Sequence, residues 1–134
     1  MTMNPVVHFE MPADDLKRVA QFYSAAFGWN MNQTGPEMGN YLLAGTTETD
    51  ENRMVKTPGT INGGFYPRKA SGPGYGGTHL VISVPDLKAS TERVKKAGGT
   101  LVGDAMDIPG IGQYQSITDT EGNTIGMLQP LPRG

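Results

Sequence analysis

His8–Lys17 reads HFEMPADDLK and His79–Lys88 reads HLVISVPDLK. Each stretch starts on a histidine and closes on Asp-Leu-Lys, and these are the only two histidines in a chain of 134 residues. The two copies lie 71 positions apart (79 − 8), and the same shift pairs Ala26 with Ala97 and Gly28 with Gly99. Self-similarity at a fixed offset is the signature of a duplicated unit. Two equivalent histidines in such a duplication point to one site on a pseudo-twofold axis.

Working outward from His8, Pro5–Met11 alternates as a strand, with Val7, Phe9 and Met11 on one face and His8 and Glu10 on the other. Pro12-Ala13-Asp14-Asp15 opens a helix, because an aspartate there caps free N–H groups. Leu16, Val19, Ala20, Tyr23 and Phe27 recur at helical spacing as one buried stripe, and Gly28 stops it. Trp29–Gln33 and Asn40–Ala44 are expected as short strands, 45–60 as a polar loop, and Ile61–Tyr66 as a fourth strand weakened by Gly63-Gly64. Trp29 is expected as a core anchor. Arg68–Gly77 is rich in glycine and holds Pro73, so it reads as a linker.

The same order follows the linker. Thr78–Val84 is a strand, and Pro85-Asp86 starts a helix whose buried stripe is Leu87, Val94 and Ala97. Thr100–Val102, extending towards Ile108, then Gln113–Thr118 and Thr124–Gln129 complete the second half, with a turn at 119–123. The expected fold is α+β: two βαβββ modules, about 5–67 and 77–130, joined by the linker 68–76 in a single domain, 1–134. One helix per four-stranded module covers one sheet face, so two modules form a curved eight-stranded mixed sheet with helices outside and a cleft within. Strand parity turns His8 and His79 into that cleft and Leu80 and Ile82 towards the helices.

Composition narrows the function. The net charge of −2 offers no basic face for nucleic acid or an anionic membrane, and the absence of cysteine removes thiol chemistry and disulfides. No apolar run is long enough to cross a bilayer, and residues 1–7 carry no signal-peptide pattern. A cytoplasmic protein is the expectation.

His8, Asp15-Leu16, Phe22-Tyr23 and Phe27-Gly28-Trp29 in the first half, with His79, Asp86-Leu87, Ala97-Gly98-Gly99 and Asp119–Ile125 in the second, resemble the vicinal oxygen chelate superfamily. That superfamily holds glyoxalases, bleomycin-resistance-type binding proteins and extradiol dioxygenases. The segments HFEMPADD, FYSAAFGW and DIPGIGQY…DTEGNTIGMLQP resemble still more its small bacterial glyoxalase-like proteins. The resemblance implies a divalent metal (zinc, nickel, iron or manganese) held by a histidine on the first strand and a glutamate on the last strand of each module. His8 and His79 match the histidines. Neither glutamate matches: Gly126 stands in the last strand, and Gly63 or Gly64 in Ile61–Tyr66.

Two readings therefore stand side by side. In one, the chain binds a small molecule in the cleft, with His8, Glu10, His79 and Tyr114 as contacts. In the other it is a metal-dependent lyase, isomerase or dioxygenase using His8 and His79, with Glu10 as a candidate third ligand. Glu10 shares the His8 face, but i and i+2 on a strand stand about 7 Å apart, so it can equally point along the cleft to solvent. Whether a metal is bound stays open at this level. The family resemblance also implies a homodimer.

Overall fold

A computed structural model describes residues 3–68 and 77–132. Its elements are β1 (Val6–Ala13), α1 (Leu16–Phe27), β2 (Asn30–Gln33), a 3₁₀ turn (Pro36–Met38), β3 (Leu42–Gly45) and β4 (Asn62–Pro67). The order repeats as β5 (His79–Ser83), α2 (Leu87–Lys96), β6 (Thr100–Ile108), β7 (Gly112–Thr118) and β8 (Thr124–Pro130). The expected α+β class, with a βαβββ order in each half, is what forms. Positions 69–76 of the expected linker lie outside the described residues.

The helices start and stop where local chemistry requires. The Asp15 carboxylate accepts from the Arg18 N–H at 3.0 Å, and Asp86 accepts from the Ala89 N–H at 3.1 Å. The duplicated Asp-Leu-Lys is thus a duplicated helix cap. Gly28 closes α1 at φ 71°, a left-handed conformation that a Cβ disfavours.

The eight strands form one mixed sheet in the order β2-β3-β4-β1-β5-β8-β7-β6. Its middle is the antiparallel pair β1–β5, and each of those strands runs parallel to the last strand of its own half, β4 or β8. Two apolar clusters fill the helix side. Ala13, Leu42, Ala44 and Phe65 pack with Phe9, Leu16, Val19, Ala20, Tyr23 and Trp29 under α1. Val84, Leu87, Ile117 and Met127 pack with Ile82, Val94 and Leu101 under α2. Trp29 is the anchor expected of it, stacked on Tyr23 at 4.6 Å. Phe27, assigned to the buried stripe by spacing, is 64% exposed at the last turn of α1, and Leu80 is 45% exposed. No helix among the described residues is long and apolar enough to cross a membrane.

Candidate functional site

The register of β1 against β5 decides which side chains meet. His8 lies opposite Val81, Phe9 opposite Leu80 and Glu10 opposite His79. The pseudo-twofold axis therefore passes between Phe9 and Leu80, which are equivalent under the 71-residue shift (80 − 9) and face each other. It follows that His8 and His79 are equivalent, and so are Glu10 and Val81. The duplication is broken at one point: one histidine has a carboxylate across the strand pair, and the other has a valine.

The carboxylate goes to His79. Its Nε2 is 2.8 Å from Glu10 Oε1, and Glu10 and His79 are 9% and 5% exposed. Glu10 is therefore neither a solvent-facing group nor a partner of the histidine on its own strand. Directly opposed residues of an antiparallel pair have Cβ atoms about 5 Å apart, closer than i and i+2 on one strand. The Tyr114 hydroxyl donates to the same Glu10 oxygen at 3.0 Å and lies 3.3 Å from His79 Nε2. On the far side of the ring, His79 Nδ1 is 3.3 Å from the Gly77 carbonyl, which also accepts from the Tyr66 hydroxyl at 2.7 Å.

These groups fix the charge state. Burial opposes ionisation of Glu10, yet its bond to His79, the nearby Tyr41 hydroxyl and the imidazoles outweigh that and hold its carboxyl below the ordinary value. Burial likewise opposes charge on His79, but the Glu10 bond, the Glu10 charge and the Gly77 carbonyl raise it above the ordinary value. Both His79 nitrogens face acceptors, so both carry protons, and the pair is a buried carboxylate–imidazolium. His8 goes the other way: burial lowers it, His79 adds to that effect, and Glu10 opposes.

His8 is bound to Tyr41, with Nε2 and Oη 2.9 Å apart. Tyr41 was not singled out from the sequence. It is the equivalent of Tyr114, as the strand registers show. Leu43 pairs with Gly64 and Ser116 pairs with Gly126, so each tyrosine, two residues earlier, sits diagonal to a glycine of the neighbouring strand. The shift relating the tyrosines is 73 (114 − 41), and that relating the glycines is 62 (126 − 64), so a comparison at 71 passes over both.

The glycines explain how the tyrosines fit. A Cβ built on Gly64 would run into the Tyr41 ring, and one on Gly126 into the ring and hydroxyl of Tyr114. Gly64, paired with Glu10, and Gly126, paired with Val81, face the cleft; Gly63 instead faces Phe9 on the helix side. Each half thus contributes the same trio: histidine, tyrosine and a glycine beneath the tyrosine. Tyr66 also lies on the cleft side, 5.9 Å from His79 between ring centres.

A glyoxalase-like domain model matches residues 7–128 of this chain. The chain belongs to the glyoxalase-like family of the vicinal oxygen chelate superfamily. A glyoxylase-like domain-containing protein of Didymella fabae is 34% identical over 118 residues, covering 86% of this chain and 85% of that protein. The anthracycline biosynthesis protein DauV of Streptomyces sp. (strain C5) is 26% identical over 122 residues, 85% of this chain but 42% of its own length. The same fold occurs in Streptomyces coelicolor methylmalonyl-CoA epimerase in complex with 2-nitronate-propionyl-CoA, with TM-score 0.71, 14% identity, and coverage of 98% and 100% of the two chains.

The glyoxalase-like resemblance implies a divalent metal, and the residues present do not fit one. The two cleft-facing glycine positions are filled by tyrosine rings rather than carboxylates. The His79 Nε2 that would ligate a metal carries a proton held by Glu10, and metal-bound histidine must present a lone pair. Among the described residues, no group of three His, Cys, Asp or Glu side chains is arranged to hold a metal. His8, Glu10, His79 and Tyr114 are brought together, as a hydrogen-bonded network instead of a coordination shell.

Proposed function

We propose that this glyoxalase-like chain binds a small organic molecule in the cleft between its two modules, with His8, Glu10, His79 and Tyr114 at the floor, and without metal-dependent turnover. One observation carries the reading: at both glycines facing the cleft, a tyrosine that hydrogen-bonds the neighbouring histidine fills the space. Relatives give the general ligand class, since the Streptomyces coelicolor epimerase is described with a coenzyme A ester and DauV belongs to anthracycline biosynthesis. The whole of 1–134 is taken as a single domain of two repeats.

The alternative is a metal-dependent isomerase, lyase or dioxygenase using His8 and His79. It draws support from the epimerase fold likeness and from two imidazoles near enough to influence each other. Thermal unfolding with added Zn²⁺, Ni²⁺, Fe²⁺ or Mn²⁺ separates the two. A metal that binds the native state at a hundred times its Kd adds about 2.7 kcal/mol, which is several degrees for a domain of this size. We expect no such rise, and the same midpoint change for the wild type and a His8→Ala/His79→Ala variant on adding metal. A rise that the double variant abolishes would establish the metal reading.

We also infer a homodimer, as the family resemblance implies. Light scattering should give twice the 14.3 kDa of the chain; a monomer mass at concentrations well above micromolar would remove the inference.

A further inference from the structure

The two outer strands of the sheet, β2 and β6, are treated differently by the sequence. An outer strand presents unpaired N–H and C=O groups, and bulges or charges are common devices that keep other strands away. On β6 the ladder with β7 breaks register between Val102 and Met106, Gly103 turns to φ 68°, and Asp104 and Asp107 follow. β2 (NMNQ) carries no charge and keeps an unbroken register with β3. The contrast extends beyond the strands. Residues 19–36 contain no charged side chain, whereas the same stretch shifted by 71, residues 90–107, contains six: Glu92, Arg93, Lys95, Lys96, Asp104 and Asp107. The uncharged stretch includes Phe22 and Phe27, 57% and 64% exposed on α1.

The β2–β3 ladder fixes which backbone groups of β2 are open. Hydrogen-bonded and non-hydrogen-bonded pairs alternate along an antiparallel ladder. The Thr34 N–H donates to the Tyr41 carbonyl at 3.0 Å, which makes Thr34 and Tyr41 a hydrogen-bonded pair. Counting back, Asn32–Leu43 and Asn30–Gly45 are hydrogen-bonded, and Met31–Ala44 and Gln33–Leu42 are not. The N–H and C=O of Met31 and Gln33 therefore point away from β3, and none of them is engaged among the described residues. Two residues with outward groups, one on each side of Asn32, are self-complementary: turned by a twofold axis through Asn32, each meets the other.

Resting on the homodimer inferred above, we propose its surface: β2 pairs antiparallel with β2 of a second copy about an axis through Asn32, so that one sheet continues across both chains. Met31 then pairs with the partner's Gln33, and Gln33 with the partner's Met31, which bonds every outward group of both strands. A register centred on Met31 or on Gln33 leaves the other residue's groups unpaired within the strand. The axis is normal to the sheet, so both copies keep α1 on the same side. Phe27, 6.1 Å from Trp29 between ring centres, borders the junction, because Trp29 immediately precedes β2. The blunted β6 at the far end closes the assembly at two copies, where an open edge there would let strands add without limit.

The test uses the full chain, which holds no cysteine. Asn32 is exposed, so substitutions there leave the fold intact. In the joined sheet it faces its own copy in a non-hydrogen-bonded pair, with Cα atoms about 4.5 Å apart, inside the range a disulfide spans. Asn32→Cys treated with oxidised glutathione should become a covalent dimer, and Asp104→Cys on β6 should not. Asn32→Asp sets two carboxylates against each other across the axis and should raise the dimer dissociation constant about tenfold or more, read by sedimentation. A wild-type dimer that Asn32→Asp leaves undisturbed, or whose Asn32→Cys form does not cross-link, overturns the edge pairing while the homodimer stands. A wild-type chain that stays monomeric well above micromolar concentration overturns the homodimer and the pairing with it, so the two failures are told apart.

Discussion

Replacing Glu10 with glutamine should cost roughly 3 kcal/mol of folding stability when measured near pH 5.5, approaching the 3–5 kcal/mol typical of losing one partner from a buried ion pair. The His79 imidazolium would then face a neutral amide in a site where it is 5% exposed. The loss should shrink as pH rises, because His79 can discharge its proton. The wild type follows from the same two shifts. Glu10 is held below its ordinary 4.5, so its contribution is complete above 4.5 and fades as the pH falls through its lower folded value. His79 is raised above its ordinary 6.5, so its contribution is complete below 6.5 and fades as the pH climbs through its higher folded value. The pair therefore stabilises the fold most between 4.5 and 6.5. Denaturant unfolding of the wild type and Glu10→Gln across that range reads both effects. A difference below about 0.5 kcal/mol throughout, the ordinary size of a surface change, would mean the pair is not formed.

Gly126→Ala is the second substitution expected to weigh heavily, at about 1–3 kcal/mol from overpacking. Its Cβ would overlap the ring and hydroxyl of Tyr114, which is 5% exposed and tied to Glu10, so the ring cannot move away without breaking that bond. Coupling identifies the cause. Tyr114→Ala by itself opens a cavity, but in combination with Gly126→Ala the added methyl occupies vacated space. The double variant should fall short of the sum of the singles by about 1 kcal/mol or more, as contacting residues do. Simple additivity would show that Tyr114 does not occupy the space above Gly126. The equivalent Gly64→Ala should cost less, because Tyr41 is only partly buried and its ring has solvent to turn into.

The reading of the sequence reached further for the fold than for the site. The shift of 71 places the two histidines, the two caps at Asp15 and Asp86 and the two glycines at 28 and 99, because the spacing from the first-strand histidine to the glycine after the helix is the same in each half (28 − 8 and 99 − 79). It does not reach Tyr41 and Tyr114. The segments between helix and third strand differ in length, so equivalent residues drift out of register (73 for the tyrosines and 62 for the glycines of the last strands). The loss of the two family carboxylates was legible, since glycine stands where each belongs. What fills the space was not, because the filling residue comes from the neighbouring strand.

Alternation and cap chemistry are local, so the sequence by itself determined the βαβββ order, the duplication and the facing of His8, Glu10 and His79 to one side of the sheet. The partnership of Glu10 was decided only by the tertiary structure. On the chain it is two residues from His8 and 69 from His79. The antiparallel register of β1 against β5 sets it opposite His79 and sets Val81 opposite His8. Strand pairing is a long-range choice made by two faces of apolar residues packing under two helices. That choice gives one of two equivalent histidines a carboxylate partner and leaves the other to a tyrosine hydroxyl.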